Sequence, residues 1–518
     1  MTRLYRTIRR LLKLATAVYF VEIQASGREQ IPADAPVIFA ANHPNSIMDT
    51  VILGTQTNRQ IHYMAKSALF KNPLVATLFD HCGVIPIHRT PQTDGASNED
   101  AFDSAFGVLA KGGCIGIFPE GQNSMERQVL RIKTGTARIA LGAEQENNYQ
   151  LGVQIVPVGL NFENRDRFLS TVLVRFGKPI DAREYAEMHK VDERLAVQEL
   201  TERLAQNLRD LSAHIEGEQL HELVEYIWPI YGTELVEDMV AYRKQVALDE
   251  RPDFETLRDA NIANIALDEE FDDDEDAGKR SGRRAWLLDR LRSTKRPSEP
   301  LGDKLWAQRQ IADVLAHYQA HDPQRVAALR LRLWAHSDHI RQVHLRHDFI
   351  DRPPQTLSSR KSALQFTAYA IFFALPAGWG LVHNFVPYQL AKLAISRAPD
   401  EAIRAITGLL SGAFFFSLFY ALYGAALWWG AGKSPWLVAG YLFSLIPTGF
   451  FFLRYRHQLA RFRRRILTRT LFRTEKGLIE TLARERGEII AELDAMREGY
   501  REVAEAEGAR PALSESVG

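Results

Sequence analysis

Cysteine is scarce: Cys82 and Cys114 are the two in 518 residues. Neither stands at a spacing that gathers metal ligands, so both read as small buried hydrophobes, and a reducing compartment suits them. Net charge is absent too, since 64 Lys and Arg balance 64 Asp and Glu. The sum points to no partner of either sign, and no nucleic acid is expected. Internal repeats are missing. A secretory signal is not expected, because the amino-terminal apolar run is short and no small-residue cleavage site closes it. The acidic run from Asp268 to Asp276 lacks EF-hand spacing.

What the chain does have is regional. Residues 1–20 put Leu4, Ile8, Leu11, Leu12, Ala15 and Val18 on one helical face and Arg3, Arg6, Arg9, Arg10 and Lys13 on the other. That pattern suits an anionic membrane interface; a surface helix packed on its own domain is the alternative. Residues 251–302 join the acidic run to the basic stretch Lys279 to Arg296. They bury too little apolar area to offset ordering entropy, so a disordered linker is expected. Charged helical regions flank it at 183–250, where Leu195, Leu200, Leu204 and Leu208 fall at helical spacing, and at 303–360.

Within a membrane-embedded region, 361–454, three apolar segments run from Leu364 to Pro387, Ala405 to Trp429 and Pro435 to Leu453. Each has about the 20 residues that span a hydrocarbon core. Arg360-Lys361 precede the first, and an arginine-rich stretch from Arg454 to Arg469 follows the third, opening a charged helix and tail at 455–518. By the positive-inside rule both flanks are cytoplasmic, which requires an even number of crossings. The first segment, interrupted by Pro376, Gly378 and Gly380, is therefore expected to be re-entrant or interfacial, and the others to form a hairpin. The expectation is an integral membrane protein whose catalytic domain faces the cytoplasm, in contact with membrane lipids.

In the domain at 21–182, strands are expected at 21–24, 37–41, 61–66, 83–88, 114–118, 155–162 and 172–176, with helices at 69–79, 94–110 and 134–145. This alternation predicts an α/β fold with a mostly parallel twisted sheet and flanking helices. The strand Val37 to Ala41 delivers Asn42 and His43 to a loop at its carboxyl end, where open α/β sheets bind ligands. Asp49 stands six positions after His43. On an ideal helix six residues turn through about 600°, onto roughly opposite faces. The two can meet only if the chain turns between them, and Pro44-Asn45-Ser46 supplies turn formers and a possible helix N-cap.

A histidine titrates near neutrality and can take a proton from an attacking hydroxyl, while an aspartate fixes its tautomer and supports the imidazolium. This is the base and orienter of a serine-hydrolase triad without the protein nucleophile, so the substrate's own hydroxyl would attack. A loop histidine beside an unrelated acid is the plain alternative, because His-x5-Asp alone is a loose pattern.

Three more blocks follow in order: Gly83-Val84-Ile85-Pro86-Ile87-His88-Arg89, Ile117-Phe118-Pro119-Glu120-Gly121 and Ile155-Val156-Pro157-Val158-Gly159. With Asn42-His43-Pro44-Asn45-Ser46 they resemble the four motif blocks of the glycerolipid acyltransferase family. The resemblance implies transfer of a fatty acyl chain from acyl-CoA or an acyl carrier protein to a hydroxyl of glycerol 3-phosphate. It also implies that no metal or organic cofactor is needed, the thioester being already activated. Catalysis would fall to His43 and Asp49, and the acceptor pocket to Glu120 and Gly121 with Asn42 beside them. Arg89 would grip the phosphate, whose oxygens a guanidinium matches bidentately.

Two departures stand out. Most of the family has four residues between the histidine and the aspartate; the five here resemble a glycerol-3-phosphate or dihydroxyacetone-phosphate acyltransferase branch. Where an arginine often follows Phe-Pro-Glu-Gly, Gln122-Asn123-Ser124 stand instead, leaving Lys66, Arg131 and Lys133 as replacements. The alternatives are acylation of lysophosphatidic acid or another lysophospholipid, a non-catalytic membrane scaffold, and a metal held by His43 and Asp49. Two ligands are fewer than a metal site normally supplies. The sequence sets no oligomeric state.

Overall fold

The computed structural model describes residues 3–67, 70, 73–87, 99–123, 128–165, 167–249, 301–342, 360–398, 404–430 and 434–506. Arg89 and all but the last two residues of the expected linker lie outside them. The chain divides into two units, Met1–Glu218 with Pro387–Ser417, and Gln219–Val386 with Leu418–Gly518.

The first unit opens with α1 (Arg3–Tyr19) and β1 (Glu22–Ser26), then β2 (Val37–Ala41), α2 (Ile47–Gln56), β3 (Ile61–Lys66), α3 (Pro73–Cys82) and β4 (Ile85–Ile87). It continues through α4 (Glu99–Ala110), β5 (Cys114–Ile117), α5 (Gly135–Glu146), β6 (Gln154–Phe162), β7 (Thr171–Phe176), β8 (Ile180–Asp181), α6 (Ala186–Val191) and α7 (Glu193–Leu211). One sheet carries the order β1-β7-β6-β2-β5-β3-β4, with β8 paired to β6. From β6 to β4 the neighbours are parallel. β7 runs antiparallel to β6 and β1 parallel to β7, so this edge is reversed.

Both faces of the parallel part are covered by helices, which is why the central strands β2 and β5 are continuously apolar rather than alternating. All five residues of β2 are buried. Ile38 and Ala40 pack with Leu109, Ile139, Leu200 and Leu204 of α4, α5 and α7. Val37, Phe39 and Ala41 pack on the other side with Phe20, with Met48, Ile52 and Leu53 of α2, and with Ala405, Ile406 and Leu409.

α1 divides its surface three ways. Tyr5, Thr16 and Tyr19 are buried against the domain, and Leu4, Leu11, Leu14 and Val18 form an exposed apolar stripe. Arg9 leaves the basic face on which the sequence places it, because its Nε donates to Gly54 O at 3.1 Å.

The second unit contains α8 (Glu218–Asp249), α9 (Leu301–His321), α10 (Pro323–Gln342) and α11 (Arg360–Phe372). After α12 (Ala374–Ser396) and α13 (Arg404–Gly430), both shared with the first unit, come α14 (Pro435–Thr474) and α15 (Lys476–Ala506). α10 and α15 are joined by Arg325–Glu492 at 2.6 Å, and Glu485 meets His336 and His339 at 3.1 Å each. α13 and α14 are long and apolar enough to cross a membrane, and α11 with α12 form a pair bent by 57°. The bend precedes Pro376, which sits in the first turn of α12, where a missing N–H costs least. α12 also runs through Pro387 to Ser396, past the expected limit.

One close contact decides what lies above β6. A Cβ at Gly159 would fall 2.2 Å from Leu211 O, so only glycine lets α7 end flush on this strand. Asn161 then holds the chain leaving α7, donating to Leu211 O at 3.1 Å and accepting from Ala213 N at 2.7 Å. Gly159→Ala is expected to cost about 1–3 kcal/mol through overpacking, read as a lowered thermal midpoint. An unchanged midpoint would mean that α7 does not sit this close.

Candidate active site

β6, β2 and β5 are neighbours and parallel, so their carboxyl ends open onto one edge of the sheet. The loops leaving them carry Arg165, His43 and Glu120. All three line an open cleft of about 400 Å³, with Asn42, Gln128, Ser212 and His214 also on its walls.

The turn after β2 makes the key contact. Asn42 is braced on β6: its side chain donates to Leu160 O at 3.1 Å and accepts from Leu160 N at 2.7 Å. His43 therefore leaves the strand in a fixed direction. The chain reverses through Ser46, whose φ of +48° is a strained setting for a residue with a side chain, costing on the order of 1–3 kcal/mol. Ser46 takes the N-cap position of α2 but makes no side-chain cap bond, contrary to the capping its sequence position suggests.

Asp49 consequently lies in the first turn of α2, and His43 Nδ1 is 2.9 Å from its Oδ2. The carboxylate partner assigns the proton to Nδ1 and leaves a lone pair on Nε2. The same Oδ2 accepts from Asn45 N at 2.7 Å, while Oδ1 is buried with no hydrogen-bond partner among the described residues. Burial pushes the Asp49 carboxyl up, opposed by the bonds from His43 and Asn45. The positive end of α2 also favours its charged form.

Two neighbours bound the imidazole. Phe118 stacks on it at 4.1 Å between centroids and 17° between planes, which fixes the plane of the ring. Glu120 Oε1 accepts the backbone N–H of His43 at 3.1 Å. Glu120 is 3 % exposed, and its Oε2 is buried with no hydrogen-bond partner among the described residues. Burial dominates and pushes its carboxyl up to about 7, with the N–H of His43 pulling the other way.

The remaining expected residues separate. Gly121 adopts φ +70° and is covered by Lys133, whose Nζ lies 2.6 Å from where a Cβ would stand. Its glycine therefore serves the turn and the lysine stem rather than the cleft wall. Lys133 and Arg131 are exposed and do not line the cleft. Lys66 ends β3, its side chain outside the described residues, as is the whole of Arg89. Sequence reasoning missed Asn45 as a donor, Phe118 as a stacking partner, and Arg165, Gln128, Ser212 and His214 as wall residues. Asn45 and Phe118 stand within motif blocks; the other four carry no motif signal.

An acyltransferase family model matches residues 22–161. Glycerol-3-phosphate O-acyltransferase 2 of Saccharomyces cerevisiae is 37% identical over 112 residues, 21% of this chain and 15% of that protein. Glycerol-3-phosphate O-acyltransferase 1 of the same yeast is 24% identical over 305 residues, 42% of this chain and 40% of that one. A 1-acyl-sn-glycerol-3-phosphate acyltransferase of Bacillus subtilis is 26% identical over 199 residues, 38% of this chain and 90% of the bacterial protein. The chain thus spans less than half of either yeast relative. The similarity to acyltransferases of glycerolipid synthesis therefore lies mainly in the part of the chain around residues 22–161.

Proposed function

We propose that the protein is a membrane-bound O-acyltransferase moving a fatty acyl chain from an acyl thioester, of coenzyme A or of a carrier protein, to a hydroxyl of glycerol 3-phosphate. The observation that carries the reading is the 2.9 Å contact between His43 and Asp49 at the mouth of the cleft. With Nδ1–H given to the carboxylate, Nε2 takes the proton of the acceptor hydroxyl as its oxygen attacks the thioester carbonyl. The tetrahedral intermediate collapses, the carbon–sulfur bond breaks, and the imidazolium returns the proton to the departing thiolate. Asp49 stabilises the imidazolium between these events.

Glycerol-3-phosphate acyltransferases among the relatives support the acceptor. Membrane attachment suits the product, because an acyl chain partitions into bilayer at about 0.8 kcal/mol per buried methylene. α13 and α14 supply apolar length for a hairpin, and the arginines that follow Leu453 favour a cytoplasmic catalytic unit.

His43→Ala is expected to lower turnover by at least about a hundredfold, the share of a general base, in purified protein given labelled acyl-CoA and glycerol 3-phosphate. Near-normal turnover would remove His43 from the mechanism. Glu120 generates a second expectation. Because its folded carboxyl holds a proton up to about 7, the stability it contributes is complete below the ordinary carboxylate range and is lost as pH rises through 7. Glu120→Gln should therefore gain stability over the parent between pH 5 and pH 8, by on the order of 3 kcal/mol. Parallel melting curves for the two proteins across that range would contradict a buried, proton-holding Glu120.

A further inference from the structure

The carboxyl groups of Asp49 and Glu120 stand beside His43, yet the acceptor proposed above brings a phosphomonoester. Some cationic group must meet it. Among the described residues that line the cleft, Arg165 is the one that carries a fixed positive charge.

Topology puts this arginine beside the base. It follows β6, which pairs directly with β2, one strand spacing of about 5 Å away. Ile87, at the end of β4, belongs to a strand three places from β2, about 14 Å at the same spacing. Arg165 sits on a closed turn: Glu163 N donates to Thr171 O at 2.9 Å, and Ser170 Oγ donates to Asn164 O at 2.7 Å. Its own carbonyl accepts from Asn45 Nδ2 at 2.7 Å. Asn45 is 1 % exposed and also gives its N–H to Asp49, so one residue braces both the catalytic carboxylate and the arginine turn.

A neutral donor stands on the same cleft. His214 Nδ1 accepts the Val129 N–H at 2.9 Å, which assigns the proton of the neutral ring to Nε2 and makes that nitrogen a donor. A guanidinium offering paired N–H groups and an imidazole N–H together match the several oxygens of a phosphomonoester.

We infer that Arg165, assisted by His214, is the anion-recognition pole of the cleft, holding the acceptor's phosphomonoester while His43 addresses its hydroxyl. The inference rests on the acceptor reading above and supplies it with specificity-determining residues from outside the four motif blocks. Asn45 is a positioning residue in this arrangement.

The test uses the full chain in lipid nanodiscs. Binding of glycerol 3-phosphate and of inorganic phosphate is measured by calorimetry without thioester, and KM and kcat are measured for glycerol 3-phosphate, 1-acylglycerol 3-phosphate and unphosphorylated monoacylglycerol. Arg165→Gln should weaken phosphate binding and raise KM for phosphorylated acceptors by at least about tenfold, more than it lowers kcat and more than it affects the unphosphorylated alcohol. Arg165→Lys should restore part of the loss, and His214→Phe should show a smaller rise in the same direction. Whichever phosphorylated acceptor shows the larger Arg165 effect identifies the free or the lipid-borne phosphate as the ligand.

Unchanged binding and KM in a folded Arg165→Gln protein, or equal losses with all three acceptors, would overturn the inference while leaving acyl transfer intact. A parent protein that binds phosphate through Arg165 but acylates none of the alcohols would overturn the acyl-transfer reading and support the anion pole.

Discussion

One hydrogen bond between an imidazole and a buried carboxylate organises the rest. His43 and Asp49 belong to different kinds of backbone, the end of a strand and the first turn of a helix, and only a sharp reversal lets them touch. The strained Ser46 backbone supplies that reversal. Three attachments hold it in place: the Asn42 amide on β6, the Asn45 N–H on Asp49, and the Glu120 carboxylate on the His43 N–H. Each draws on a different element, so the strain is offset by the packing of the whole sheet edge rather than by the loop itself. Asp49 stays buried because two donors and a helix terminus meet its charge.

The sheet gives this loop its surroundings. Because β6, β2 and β5 are parallel neighbours, one face of the molecule receives three loops at once, carrying a guanidinium, an imidazole and a carboxyl. Residues 212–214 join them from a helix that ends flush on Gly159. The resulting cleft combines these polar groups with apolar wall residues such as Val129, Leu160 and Phe162.

Much of this was legible in the chain. The apolar runs of β2, β5 and β6 and the helices between them are strong local signals, and the two long apolar helices follow from composition alone. The requirement that His43 and Asp49 meet across a turn was a geometric consequence of their spacing. The reversed edge was not legible, since strand direction at β7 depends on which neighbour it finds. The bracing of Asn42 was not legible either, since its amide pairs with Leu160, 118 residues away, and no local pattern announces that contact. Arg165 and His214 sit outside every motif block, and only the strand order brings them to His43. Gly121 and Lys133 were expected in the cleft and instead cover one another, because a positive-φ turn and a long side chain fit together beside it.

The most direct test of the His43–Asp49 unit is a double-mutant cycle in kcat/KM for glycerol 3-phosphate, using His43→Ala, Asp49→Ala and the pair. If the two act as one device, the double variant should lose no more than His43→Ala alone, to within about threefold. Losses that multiply would show independent contributions and contradict the account.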